Sequence, residues 1–424
     1  MGGYSWAAQV VGAAAKVALI FQIAAALPNG AEARRGCRKP ACDLVVGENM
    51  GADAVGSRVW FAKMLYICTS LGIPTSTMQI LIDLSILRHP YCGLGQVALN
   101  YGRWYAAHGH EAVGDGHSIT LLVPRSFVGQ FGQHVHYLTA RRIYRLMPWL
   151  MPTFDLWHSM HQMSPYRPLC GRTRRILTVH DVNFMYEKTL AKQEKYRARL
   201  QRDCDCADVL CFISEFAKAD TLRRVDAKNK PTHVIYNGVE HLVQGQQKQP
   251  PAVSTSRPFF LSIGEVKPKK NIHTLLPLMD LLPDYQLVVA GNAGSSYAQQ
   301  LRQQLLHHPN VLMLGTVTDD ERRWLYAHCA GLLFPSLSEG FGLPVIEAMQ
   351  WGKPVFCSNR TSLPEVGGPY AHYFDSFEPE HMAAVVRCGM ASFDPQRAQQ
   401  EQAYAATFGY ERHMQQYWEL YCCM

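Results

Sequence analysis

From Met78 onward, short apolar runs alternate with amphipathic stretches of helical length. Gln79 to Leu84, Ile119 to Val123, Ile176 to Val179, Val209 to Ile213 and Val234 to Tyr236 read as strands, and Gln96 to His108 as a helix. A polar stretch from Gln244 to Arg257 then reads as an interdomain linker. The alternation restarts with strands at Phe259 to Ile263, Tyr285 to Ala290, Val311 to Leu314, Leu332 to Phe334 and Pro354 to Cys357. The tail from Gln396 to Tyr421 has a helical pattern. Short strands alternating with helices mean βαβ units and parallel sheets, so the pattern predicts two α/β domains. Polar or glycine residues follow nearly every strand, which is where ligands sit in open parallel sheets.

The boundaries are set at residues 78–250 for the first domain, 251–395 for the second and 396–424 for terminal helices. Residues 1–77 lack the pattern and are assigned to an extension outside the core, such as one from an upstream start codon. Within them, Val17 to Leu27 is an apolar run followed by Ala31-Glu32-Ala33, which has the look of a signal-peptide cleavage site. No positive charge precedes Lys16, however, and the run is too short and alanine-rich to span a bilayer securely.

Composition narrows the class. The chain has 424 residues, 48% hydrophobic and 18% charged, which suits a two-domain globular enzyme and not a disordered or coiled-coil protein. The formal net charge of +7 is compatible with anionic substrates or an anionic membrane, but is too diffuse to imply nucleic acid. Thirteen scattered cysteines, with no CxxC pair at zinc spacing, read as reduced thiols in a cytoplasmic protein.

The chemistry concentrates in Ser336 to Val355, SLSEGFGLPVIEAMQWGKPV. Glu339 and Glu347 flank a Gly-Phe-Gly turn, and Pro344 stands where a helix should begin, a position that needs no N–H. Such a turn leaves amide groups free at a helix N-terminus, a seat for phosphate. Strand, glycine turn, helix and paired acids suggest a nucleotide-sugar site.

The same segment resembles the Glu-x7-Glu motif of glycosyltransferase family 4, the retaining enzymes with the GT-B fold. IGEVKPKKN (Ile263 to Asn271), LVVAGN, VLMLGTV and SLPEVGG (Ser362 to Gly368) add to the resemblance, which covers roughly Met78 to Tyr421. It implies two Rossmann-like domains facing across a cleft, with C-terminal helices crossing back to the first. It implies transfer of a hexose, mannose or glucose first, from a nucleotide diphosphate sugar to a hydroxyl of a glycan or lipid-linked acceptor in surface polysaccharide or lipopolysaccharide synthesis. No cofactor or metal is expected, because lysine and helix dipole supply the positive charge.

Carried over residue by residue, the motif assigns Glu347 to the ribose and Glu339 to the donor sugar. Lys270 is the first choice to stabilise the leaving diphosphate, with Lys269 or Lys267 second. Gly340, Phe341, Gly342 and Leu343 would add backbone donors. Where some family members place Arg after the glycine of the first loop of the second domain, this chain has Glu265. In the first domain, Gly93 and Gly95 match the loop after the first strand, and His180 matches a strand-end histidine near the reacting sugar. Asp181 could orient that histidine. Ser214 and Asn237 occupy loop positions facing the cleft. His158 reads as architectural, and Asp203-Cys204-Asp205, despite its DxD spacing, as a solvated helix face.

Arg141, Arg142 and Arg145 interleave with Tyr144, Met147, Trp149 and Leu150. Packing of this stretch on its own domain is the first reading; a peripheral surface against anionic lipid on the inner face of the membrane is the alternative. Two rivals for the whole chain remain. A GT-B sugar-nucleotide epimerase would need an acid/base set not evident here. A non-catalytic binding protein on the same fold would have little use for Glu339, Glu347 and Lys270 together.

Overall fold

In the computed structural model, strands follow the apolar runs closely. It describes residues 77–424 except 91, 115, 170 and 172, and the side chains of 111–115 are also outside the description. The expectations for residues 1–77 therefore lie outside the described residues, apart from Thr77. The first half comprises β1 (Gln79–Asp83), α1 (Gly93–Gly114), β2 (Ser118–Val123), β3 (His136–Thr139), α2 (Ile143–Leu146), β4 (Leu156–Ser159), β5 (Arg174–Val179), α3 (Phe184–Glu187), α4 (Leu190–Cys206), β6 (Val209–Phe212), α5 (Glu215–Leu222) and β7 (Thr232–Val234). The second half comprises β8 (Phe259–Ile263), α6 (Leu275–Asp280), β9 (Gln286–Ala290), α7 (Ser296–Gln304), β10 (Val311–Gly315), α8 (Asp319–His328), β11 (Gly331–Phe334), α9 (Leu343–Gln350), β12 (Val355–Ser358), α10 (Leu363–Gly367), β13 (His372–Phe374), α11 (Pro379–Ser392), α12 (Pro395–Ala406) and α13 (Tyr410–Cys422).

The strands form two sheets, of seven in the order β3-β2-β1-β4-β5-β6-β7 and of six in the order β10-β9-β8-β11-β12-β13. Every pairing within them is parallel. Both orders run outward from the first strand and then reverse, so each sheet is doubly wound, with a switch point beside β1 and beside β8. Helices cover both faces. Phe259, Leu261, Leu332 and Phe334 are packed under α8 and α9 in one cluster, and Phe260, Leu287 and Leu333 join α6 and α11 in another. This is the two-domain GT-B architecture.

The sequence pattern missed β3, β4 and β13. They are three or four residues long and interrupted by polar side chains, so they lack a recognisable apolar run. β4 is nonetheless central and buried along its whole length. Its His158 is tolerated there because Nε2 pairs with Thr178 Oγ1 at 2.8 Å and Nδ1 with Tyr421 Oη at 2.5 Å.

Of the terminal helices, only the last crosses. α12 stays on the second half, where Arg397 donates to the Pro369 carbonyl (2.6 Å) and Gln402 to that of Gln350 (3.3 Å). α13 packs on the first half: Trp104 donates to Glu411 (3.1 Å), His413 Nε2 meets Tyr101 Oη (2.8 Å), and Tyr417 Oη meets Thr178 Oγ1 (2.8 Å). The stretch Gln244 to Arg257 holds no helix or strand, yet it is not a loose tether. Val253 is buried and the Lys248 amide donates to the Asp320 carbonyl at 3.1 Å. Among the described residues, no helix is long and apolar enough to cross a membrane.

Candidate active site

The loops after β1, β5, β8 and β11 converge on one cleft of about 690 Å³ between the two sheets. Two of these, after β1 and β8, leave the switch points, so the topology itself opens a crevice where the sequence places its glycine and lysine motifs. Gly93, His180, Asn237, Lys269, Lys270, the turn from Glu339 to Leu343, and Glu347 all line it.

Lys270 Nζ donates to Glu339 Oε1 at 2.5 Å, with the two side chains only 14% and 13% exposed. The ammonium also lies 4.8 Å from the centre of the Phe334 ring, a cation–π position. Lys269 bridges the halves, pairing with Glu187 Oε1 at 3.1 Å. Burial alone would lower its pKa; the nearby carboxylates of Glu339, Glu187 and Asp181 outweigh that and hold it above the ordinary lysine value. Asp181 is raised above the usual carboxylate range by burial, with Lys269 opposing.

The turn carrying Glu339 is wedged against the first half. A Cβ on Gly340 would stand 2.3 Å from the His180 carbonyl, so no larger residue fits without separating the domains. The Gly340 carbonyl accepts from Ser214 Oγ at 2.8 Å, and Ser338 bonds Asn183. Gly342, at φ +107°, then feeds α9, whose Pro344 is in the first turn as the sequence suggests. The backbone N–H groups of residues 340–343 donate to no protein atom among the described residues. They are therefore available to an anionic ligand at the start of α9.

Glu347 sits one turn further along α9, buried, with Oε2 accepting from Tyr326 Oη at 2.6 Å and Oε1 3.5 Å from Arg322 Nη1. Arg322 also faces Asp319 (3.5 Å) and Glu240 (3.7 Å). Burial would lower the Arg322 pKa, but Glu347 and Asp319 more than compensate. Burial, then Glu347, pushes the Tyr326 hydroxyl far above the ordinary phenol value, so it serves as a fixed donor. Asp319 and Arg322 line the cleft and were not foreseen from sequence. They lie in the capping-box helix α8, whose T-x-x-E signal explains a helix start and nothing more.

His180 is buried at the end of β5. Its Nε2–H donates to the Met160 carbonyl at 2.7 Å and its amide to Gln162 Oε1 at 3.1 Å. Because a carbonyl only accepts, the proton is on Nε2 and Nδ1 is the ring's acceptor. Burial lowers the imidazole pKa to about 4, so the ring is neutral near pH 7.

Other sequence candidates divide. Asn237 is buried at the cleft wall, its Oδ1 without a partner among the described residues. Gly95 is not itself among the cleft-lining residues, though Leu94 and Gln96 beside it are; it lies in the first turn of α1, where a Cβ would stand 2.1 Å from the His89 carbonyl, so packing alone requires a glycine there. Lys267 also lies off the cleft, paired with Glu265 at 2.9 Å. Ser214 is engaged as the cap of α5 and as the strap to Gly340. Asp203 departs from the solvated-face reading: it is buried, held by Arg167 at 2.9 Å and Arg175 at 3.6 Å, while Asp205 is exposed.

The profile of the Glycosyltransferase Family 4 domain matches residues 91–241, and that of Glycosyl transferases group 1 matches residues 243–404. O-antigen chain mannosyltransferase B of Escherichia coli is 29% identical over 229 residues, covering 50% of this chain and 59% of that protein. O-antigen chain mannosyltransferase RfbU of Salmonella typhimurium is 28% identical over 196 residues, covering 45% and 53%. The chain thus matches little more than half the length of these curated relatives. Among solved structures, Anabaena Alr3699/HepE in complex with UDP-glucose superposes with a TM-score of 0.63 at 19% identity, covering 82% of this chain and all of that one. WaaG, a glycosyltransferase involved in lipopolysaccharide biosynthesis, gives 0.56 at 15% identity, covering 78% and 95%. With one profile on each sheet and the GT-B architecture around them, the chain belongs to the group 1, family 4 glycosyltransferases.

Proposed function

We propose that the protein transfers a hexose, mannose in the first instance, from a nucleotide diphosphate sugar to a hydroxyl of a glycan or lipid-linked acceptor in surface polysaccharide or lipopolysaccharide synthesis. The observation that carries the reading is the convergence of Lys270, Glu339, Glu347 and four uncommitted amides on one cleft wall, with His180 opposite. The relatives named as O-antigen mannosyltransferases support the choice of sugar and acceptor. The UDP-glucose complex of HepE supports a nucleotide-sugar donor.

In this reading Glu347, steadied by Tyr326, accepts from the ribose hydroxyls. The diphosphate lies on the amides of residues 340–343 at the start of α9, with Lys270 alongside. As the glycosidic bond to the diphosphate breaks, negative charge grows on the departing phosphate oxygen, and Lys270 and the amides oppose it. Glu339 and the Nδ1 of His180 accept from sugar hydroxyls and fix the ring against the acceptor. In the front-face attack proposed, the acceptor oxygen bonds C1 on the side the phosphate leaves and its proton passes to the departing phosphate oxygen, so the anomeric configuration is retained; independence from a divalent metal is also part of the proposal, since Lys270 and the amides supply the compensating charge.

The test is twofold. Melting shifts with GDP-, UDP- and ADP-sugars identify the donor. Incubation of that donor with a lipid-linked saccharide, in EDTA, should then give a new glycosidic bond of unchanged anomeric configuration. An epimerised nucleotide sugar, or binding without product, overturns the proposal.

A further inference from the structure

We propose that residues 141–150 form a docking surface for an anionic lipid bilayer, placed beside the cleft mouth so that the acceptor's lipid end stays in the membrane. The inference rests on the lipid-linked acceptor of the preceding reading. The expectation that this stretch packs on its own domain holds for Tyr144, which sits against the cluster of Leu81, Leu122, Met151, Trp157 and Tyr166, but not for four other apolar side chains: Leu146 is 77% exposed, Trp149 58%, Leu150 51% and Ile143 39%. Arg141, Arg142 and Arg145 are exposed among them.

Charge selects the partner. Residues 116–154 contain no Asp or Glu, while Arg125, Arg141, Arg142 and Arg145 fall within them. Asp155, the next acid, is bonded to the Gln79 amide at the start of β1, at the opposite end of the sheet. An exposed apolar cluster interleaved with arginines, on a segment that carries no acid, matches the interface of a bilayer containing anionic lipid, which takes up tryptophan and leucine and attracts the guanidinium groups.

Position links the surface to the site. The segment begins where β3 ends, and the Ala140 amide still bonds the Val123 carbonyl of β2 at 2.8 Å. These are the strand ends that face the cleft. Arg88, in the loop that leads from β1 to Gly93, donates to the Ala140 carbonyl at 2.9 Å and to Tyr166. Arg145 holds the same Tyr166 hydroxyl at 3.3 Å, with its guanidinium 5.2 Å from the ring centre. The surface is thus tied to the loop that lines the acceptor side of the cleft.

The test is co-sedimentation of the full chain with phosphatidylcholine vesicles, alone and with phosphatidylglycerol added. Wild type should pellet with the anionic vesicles only, and less so as salt rises. The R141E/R142E variant should bind roughly tenfold or more weakly, and L146S/W149S/L150S should lose binding. Both should keep the wild-type melting temperature, since every altered side chain is exposed. Undiminished pelleting of either variant overturns the surface, and places any lipid contact elsewhere in the chain, including residues 1–76. Failure to pellet by the wild type overturns it too, and leaves the transfer reading, scored by product formation, standing.

Discussion

Lys270 Nζ lies 2.5 Å from Glu339 Oε1 on one wall of the cleft, so the residue assigned to the diphosphate is already paired with the residue assigned to the sugar. An ammonium has three donors, and this contact uses one. A diphosphate can take the remaining two without displacing Glu339, but the carboxylate then stands next to the phosphate charge. The pair therefore restrains binding of the leaving group while orienting Lys270 for the moment of bond breaking.

Two opposite outcomes follow. Lys270→Ala should lower transfer on the order of 100-fold or more, as loss of a preorganised charge stabiliser does, and weaken donor binding. Glu339→Gln should also depress transfer but bind the free nucleoside diphosphate more tightly than wild type, because the competing charge is gone. Calorimetry with the diphosphate and steady-state rates separate the two effects. Weaker diphosphate binding by Glu339→Gln would show that the carboxylate does not oppose the phosphate.

The Tyr326 hydroxyl, 2.6 Å from Glu347 Oε2, offers a second test. Tyr326→Phe removes a hydrogen bond to a charged acceptor, worth ~1.5–3 kcal/mol. If Glu347 holds the ribose, the donor KM should rise roughly tenfold while kcat changes little, since the ribose is remote from the bond being broken. A fall in kcat at constant KM contradicts that role.

The motifs legible in sequence were those where backbone and side-chain demands coincide. Around Glu339 and Glu347 the glycines, proline and acids each answer to one local geometry, and that geometry recurs in the structure. Gly95 looked alike in sequence, yet the demand the structure places on it comes from the His89 carbonyl. Arg322, Glu187 and Asn183 left no trace because their partners are distant along the chain: Glu347 and Glu240, Lys269, and Ser338. Asp203 failed for the same reason, since neither Arg167 nor Arg175 stands near it in sequence.

Glu365, within the SLPEVGG segment, shows another such long-range contact with a measurable consequence. Its two carboxylate oxygens accept from the amides of Glu215 (2.6 Å) and Phe216 (3.1 Å), the first residues of α5 on the other half. A carboxylate at a helix N-terminus is favourable by ~1 kcal/mol, and here it joins the two halves. Glu365→Ala should loosen the closed arrangement: the radius of gyration by small-angle scattering should increase and the donor KM should rise. An unchanged radius and KM would mean that the other contacts between the halves, Ser214–Gly340, Ser338–Asn183 and Lys269–Glu187 among them, hold the closed form without Glu365.

The buried histidines His158, His180 and His413 predict a one-sided pH dependence. Burial lowers His158 to about 3, and His180 and His413 to about 4. Each has a folded pKa below its unfolded value of about 6.5, so the unfolded chain takes up protons first as pH falls. Stability is fully present above about pH 6.5 and is lost progressively toward pH 4, with each histidine contributing up to ~2 kcal/mol of loss by pH 5. His413 has the structural leverage to show this, since it joins α13 to Tyr101 and to the Tyr236 carbonyl, accepting from the first at Nε2 and donating to the second from Nδ1. Gln at this position keeps one donor and one acceptor but takes up no proton. Denaturant unfolding at pH 7 and pH 5 should therefore show a smaller acid-induced loss in His413→Gln than in wild type, by roughly one proton's share of ~1.4 kcal/mol per pH unit. Parallel losses in the two proteins would remove His413 from the account of acid sensitivity.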